Sequence, residues 1–203
     1  LAAEFPGRTG ACRVAEVRPQ AAGVVQRRLF TEGANVVAGE TLYQIDPQGY
    51  RAALQRAEAA LQRVLASEKV ARLKADRYQG LIGKKLISQQ DYDDADATLK
   101  EASAAVAVAR AERDIARINL EYTTIRAPIS GRIGRSLVTE GALLEAEQEA
   151  PLAVIQQIDP LFVDITQSSV DLTRLKSDLA EGRLAPAGEG AAMRLVLEDG
   201  TPY

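Results

Sequence analysis

The chain of 203 residues contains no histidine and no tryptophan, and only one cysteine and one methionine. Without histidine there is no Ser-His-Asp triad, no Cys-His pair and no imidazole metal ligand. A single cysteine excludes an intramolecular disulfide and a thiolate cluster. Charge of either sign is nearly balanced, with 25 Lys and Arg against 28 Asp and Glu, so no global basic field favours nucleic acid. No apolar run reaches the 18 residues of a membrane-spanning helix. Aromatics make up only 4% while hydrophobic residues make up 46%, and much of that share is alanine. Small apolar side chains suit closely approaching helices better than a thick aromatic core. These absences point away from most enzyme chemistry, and the chain is read as non-catalytic and without cofactor or metal.

What is present is a repeat. Val17-Arg-Pro-Gln-Ala-Ala-Gly23-Val-Val25 returns as Ile125-Arg-Ala-Pro-Ile-Ser-Gly131-Arg-Ile133, and Thr31-Glu-Gly33-Ala34 returns as Thr139-Glu-Gly141-Ala142. The offset is 108 residues in both, and Leu42-Tyr-Gln-Ile45 answers Leu152-Ala-Val-Ile155 after a two-residue lengthening. In each copy, short β-branched runs alternate with turn glycines, which predicts three short strands per copy. Some thirty residues of such strands bury too little alone, so the two copies are expected to pack face to face as a small sandwich.

Between the copies the hydrophobic period changes to 3.5. Leu54, Ala57, Leu61, Val64, Glu68, Ala71, Ala75 and Tyr78 mark one helix, and Tyr92, Ala95, Leu99, Ala102, Val106, Ala109, Arg113, Ala116 and Leu120 a second. Steps of three and four in alternation are the seam of a coiled coil. The turn Gly80-Leu-Ile-Gly-Lys-Lys-Leu-Ile-Ser88 joins them, with Gly83 expected to end the first helix and Ser88 to cap the second, Asp91 completing a capping box. Arms of about 33 residues give a hairpin of roughly 50 Å. Pairing about that turn sets Glu68 near Glu101, and Arg113 near Arg56.

After the second copy, Leu161 to Ile165 reads as a strand, 167–180 as a short amphipathic helix with Leu172, Leu175 and Leu179 inward, and Met193 to Leu197 as a strand. With Thr9 to Val14 these are too few strands to close a barrel. Cys12 is read as a small buried strand residue. The start lacks an initiator Met and a signal-peptide pattern, and both ends read as those of a segment from a longer protein.

Three constellations are weighed for chemistry. Asp91-Tyr-Asp-Asp-Ala-Asp96 has Asp96 and Ala102 where a calcium loop needs Gly and Glu, so its acids are assigned to the helix dipole. Each repeat copy is similar to half of a biotinyl or lipoyl carrier domain, but the tip that carries the modified lysine is replaced by Asp46-Pro47 and the helices, and neither half holds a lysine. Lys84-Lys85 is a basic pair at a loop tip, too small to define a partner.

A lipoyl-like sandwich split by a helical hairpin resembles the periplasmic adaptors, the HlyD-like membrane fusion proteins, of tripartite multidrug efflux pumps, and among them the AcrA/MexA type that serves RND transporters. The resemblance rests on Pro6-Gly-Arg-Thr9, Ala15-Glu-Val-Arg-Pro-Gln20, Leu42-Tyr-Gln-Ile-Asp-Pro47, Ala116-Arg-Ile-Asn-Leu120, Pro128-Ile-Ser-Gly-Arg-Ile-Gly134, Val138-Thr-Glu-Gly-Ala142 and Val163-Asp-Ile-Thr-Gln-Ser-Ser169. It implies an α+β fold: a lipoyl-like β-sandwich interrupted by a long antiparallel α-helical coiled-coil hairpin, plus an incomplete β-barrel domain containing a short helix. The domains then run 1–15 (partial barrel), 16–47 (first lipoyl-like half), 48–121 (hairpin), 122–157 (second half) and 158–203 (partial barrel).

The resemblance further implies a conduit subunit between an inner-membrane RND drug/proton antiporter and an outer-membrane channel of the TolC type. It implies self-association into a hexameric ring, no nucleic-acid partner, and a place in the periplasm of a Gram-negative bacterium with an N-terminal lipid anchor outside this sequence. The family's channel-binding tip motif falls on Arg77, Leu81 and Ser88. An adaptor of an ATP-driven exporter is the alternative, and a biotinyl or lipoyl carrier domain a remoter one.

Overall fold

The computed structural model describes residues 7–165, together with 173, 176–178, 180–182, 186, 187, 190, 191, 196 and 201. The chain divides into two compact units, Leu1–Cys12 with Ile158–Tyr203, and Arg13–Gln157.

The larger unit holds both repeat copies and the helices between them. The first copy supplies β2 (Gly23–Arg28), β3 (Asn35–Val36) and β4 (Thr41–Ile45), following β1 (Gly7–Val17). The second supplies β6 (Gly131–Ile133), β7 (Leu143–Leu144) and the start of β8 (Ala153–Ile165), following β5 (Thr124–Arg126). The expected strands are therefore present, but the copies do not each form one sheet. The two sheets have the orders β5-β4-β2-β7 and β1-β8-β6-β3, so each draws strands from both copies. Under the repeat offset one order maps strand by strand onto the other. The interleaving is a pseudo-twofold exchange, in which β2 pairs with β7 and β3 with β6.

The backbone bonds repeat with the sequence. Val25 N–H donates to Ala142 O at 2.9 Å, and Ile133 N–H to Ala34 O at 3.0 Å. Gly141 N–H donates to Val25 O, and Gly33 N–H to Ile133 O. Gly131 is required by space, because a Cβ there would stand 2.5 Å from Gln156 O. The core between the sheets contains Val25, Val36, Leu42, Tyr43, Ile45, Ile133, Leu144, Leu152 and Ile155. It is not symmetric: Tyr43 meets Phe30 edge to face, with ring centres 5.3 Å apart, where the second copy has Ala153 and Val138. The Tyr43 hydroxyl donates to Leu152 O at 3.0 Å and shares a 2.7 Å bond with Ser136 Oγ, which satisfies it in the core.

The helices are α1 (Gln48–Ile82) and α2 (Gln89–Glu121). Every expected seam position is buried or half-buried, and Leu61, Val106 and Ala109 cluster in one buried layer. Stability of so long a pair comes from this seam rather than from propensity. Its polar layer corrects the expected pairing. Glu68 accepts from Ser103 Oγ at 3.1 Å, two residues beyond Glu101, and pairs with Arg72 at 2.6 Å. Arg113 lies beside Asp114, its Nε 2.9 Å from Oδ1, rather than meeting a group across the seam.

The root of the hairpin is tied to the sandwich. Asp46 Oδ1 accepts from Gln48 N–H and from the Gln26 side chain, both at 3.1 Å, and Tyr50 Oη donates to Ala22 O at 2.8 Å. At the other arm, buried Thr123 gives its carbonyl to Ile45 N–H at 2.8 Å.

In the smaller unit, β1 and β8 are sheet neighbours, and β9 (Pro186–Ala187) pairs antiparallel with β10 (Gly190–Ala191). Thr9 to Val14 lies within β1, and Leu161 to Ile165 within β8. Cys12 is half-buried in β1, more open than expected for a core residue. Of the expected helix over 167–180, residues 173, 176–178 and 180 are helical, while Leu172, Leu175 and Leu179 lie outside the described residues. Of Met193 to Leu197, only Val196 is described.

Candidate functional site at the hairpin apex

The apex joins α1 to α2 through residues 83–88, and its conformation follows from how each helix ends. Leu86 N–H donates back to Leu81 O at 3.2 Å and Lys85 N–H to Ile82 O at 2.9 Å. This crossed pair is a Schellman motif. Its left-handed position is taken by Lys85, with φ of 57°, and not by Gly83, whose φ is −59°. Gly83 caps α1 as expected, directly after Ile82, but the left-handed conformation falls two residues later. A side chain in the left-handed region costs roughly 1 kcal/mol that glycine would not.

Ser88 starts α2 as expected. Its Oγ accepts from Asp91 N–H at 3.1 Å and donates to Asp91 Oδ2 at 2.6 Å, while its own N–H donates to Asp91 Oδ2 at 3.2 Å. The capping box is complete. These bonds, the hydroxyl's first and the backbone N–H next, hold the Asp91 carboxyl below its ordinary range. Two further acids of the run are also engaged locally: Asp93 accepts from Gln89 at 2.8 Å and Asp96 pairs with Lys100 at 2.7 Å. Among the described residues no group of three or more His, Cys, Asp or Glu is placed to hold a metal ion.

The three motif residues all stand at this end. Arg77 and Leu81 are one helical turn apart and share a face of α1. Arg77 is exposed, Leu81 half-buried, and Ser88 is an exposed cap on the opposite arm. Leu86 is 66% exposed and adds an apolar side chain to the apex that the motif does not include. The apex thus brings Leu81 and Leu86 beside the cations Arg77, Lys84 and Lys85.

A second surface lies along α2. Ala104, Val108, Ala111, Ile115, Ile118 and Tyr122 are spaced by alternating fours and threes and are all exposed. The same step count that found the inner seam would have revealed this outer one. Near the root, a groove of about 530 Å³ runs between the arms, lined by Ala53, Ala57, Ala60 and Ala116 with Arg56 and Glu112. None of the described helices is long and apolar enough to cross a membrane.

Residues 13–156 match the family model described as RND MFP, barrel-sandwich hybrid domain. The chain is 50% identical to the multidrug export protein AcrE of Escherichia coli, over 98% of its own length and 52% of the relative's. It is 51% identical to the toluene efflux pump periplasmic linker protein TtgD of Pseudomonas putida, over 100% of its length and 50% of the relative's. It thus spans about half the length of these curated relatives. Among solved structures it is similar to a MacA-MexA chimeric protein carrying the Pseudomonas aeruginosa MexA α-hairpin domain. The TM-score is 0.60 at 27% identity, covering 97% of this chain and 63% of that one.

Proposed function

Since the chain belongs to the RND membrane fusion proteins, whose barrel-sandwich hybrid domain it carries, we propose that it is a non-catalytic periplasmic adaptor in multidrug efflux. It links an inner-membrane RND drug/proton antiporter to an outer-membrane channel of the TolC type and helps to form and gate the sealed conduit between them. The observation that carries this reading is the hairpin. Two arms of 35 and 33 residues reach about 50 Å from a sandwich that grips their root, and end in an apex displaying Arg77, Leu81 and Ser88. Reach and a shaped end are what a spacer between membranes needs.

Copies associate side by side in a ring, hexameric in this reading, and the outer stripe of α2 supports that arrangement. An exposed heptad face on a helix that already has a partner is a surface suited to another helix. The adaptor resides in the Gram-negative periplasm, held at the inner membrane by an N-terminal lipid beyond this sequence.

Leu81→Asp and Ser88→Arg in the full-length protein test the apex. Both are expected to abolish drug efflux in cells while purified protein keeps its helical circular dichroism. Wild-type drug resistance in either variant at normal expression would overturn the assignment.

A further inference from the structure

Resting on the reading of the apex as a docking end, we propose that Lys85, with Lys84 beside it, recognises carboxylates on the channel's periplasmic end. The backbone carries the argument. Lys85 occupies the left-handed position of a Schellman motif, where glycine is favoured and two glycines, Gly80 and Gly83, stand close by without filling it. A residue kept in a strained conformation points to a use for its side chain. That side chain belongs to the outermost turn of the hairpin, next to exposed Leu86.

Among the described residues no group answers the charge, for neither Lys84 nor Lys85 makes an ion pair there. Of the acids that follow on α2, Asp91 is bonded to Ser88, Asp93 to Gln89 and Asp96 to Lys100, and Asp94 forms no ion pair with either lysine. The C-terminal dipole of α1 also favours cations here. It favours them equally at any last-turn position, so it does not account for a lysine in the left-handed one. Two cations next to an exposed leucine suit an apolar notch rimmed by Asp or Glu, with the charges setting encounter rate and orientation.

The test measures binding of the full-length adaptor to the detergent-solubilised TolC-type channel of the same bacterium, at low and at high salt. Lys84→Gln with Lys85→Gln is expected to weaken binding about tenfold at about 50 mM salt and about twofold at about 300 mM. Lys85→Arg should bind as wild type. Lys85→Gly should melt above Lys85→Gln, because it relieves the backbone, yet bind no better. A double variant with wild-type affinity and salt dependence would overturn the proposal and leave the lysines with a helix-dipole role alone. Leu81→Asp, run in parallel, separates the two readings: if it loses binding while the lysine variants do not, only the charge contact falls. If Leu81→Asp binds normally while the lysine variants weaken, the charge contact stands and the Leu81 assignment falls.

Discussion

The carboxylate of Glu140 accepts the backbone N–H of Arg28 across the sandwich at 2.9 Å, and its repeat counterpart does the reciprocal: Glu32 accepts the N–H of Ser136 at 3.1 Å. Arg28 and Ser136 are themselves 108 residues apart, as the two glutamates are. The Thr-Glu-Gly-Ala repeat is therefore a pair of clasps, each copy holding the other. Glu140→Ala should lower stability by about 1 kcal/mol. Arg28 also pairs with Glu32, so the double variant with Glu32→Ala should depart from additivity. Urea unfolding of the four proteins of the cycle measures this coupling, and additive losses would show the clasps to be independent.

Two glycines of the second repeat copy should not be equally sensitive. Gly131→Ala forces a Cβ against a backbone carbonyl that belongs to the core-lining strand β8 and cannot step aside. Gly141→Ala meets nothing within 4 Å and is opposed only by its φ of 86°. We expect losses of about 3 kcal/mol and about 1 kcal/mol respectively. Equal urea midpoints for the two variants would contradict the close-approach account.

Acid should loosen the hairpin. Arg72 first, and Ser103 after it, hold the Glu68 carboxyl below its ordinary range, as Ser88 does for Asp91. A carboxyl whose pKa is depressed by folding contributes stability above its unfolded pKa, and that contribution is lost as pH falls through the folded value. The melting temperature should thus fall from about pH 5 toward about pH 3, within the carboxylate range. Glu68→Gln with Asp91→Asn should flatten this slope. A slope unchanged in that variant would place the acid sensitivity elsewhere.

Much of this was legible in the sequence because periodicity reports on packing. The seam from Leu54 to Tyr78 and from Tyr92 to Leu120 could be counted directly, since a residue every 3.5 positions must face a partner. Ser88 and Asp91 could be read as a cap because both groups belong to one local turn. Pairings between distant segments were less accessible. The repeat showed two equivalent halves, but whether β2 would pair within its own copy or with β7 depends on hydrogen bonds over more than a hundred residues, which no local pattern encodes. The partner of Glu68 slipped from the vicinity of Glu101 to Ser103 because a turn's backbone path sets the register of the whole hairpin. Lys85 was hidden for another reason. Its left-handed backbone contradicts its own propensity, and Gly83 nearby was the better local candidate. The motif residues Arg77, Leu81 and Ser88 came from resemblance; all three lie at the apex, where Lys84, Lys85 and exposed Leu86 stand beside them.

The exchange of strands between the two copies also bears on how the chain reaches its fold. Each sheet waits for segments far apart in the chain, a search that grows costly with the length of the intervening loop. The hairpin lies inside that loop, and zipping from the apex outward lets each of its contacts close only a short additional loop. Once zipped, it delivers Gln48 and Glu121 to one place and shortens the loop between β4 and β5 about tenfold, which lowers the closure entropy by about 2 kcal/mol. The hairpin is thus also a folding aid: by closing on itself, it brings together the two halves that clasp around its root.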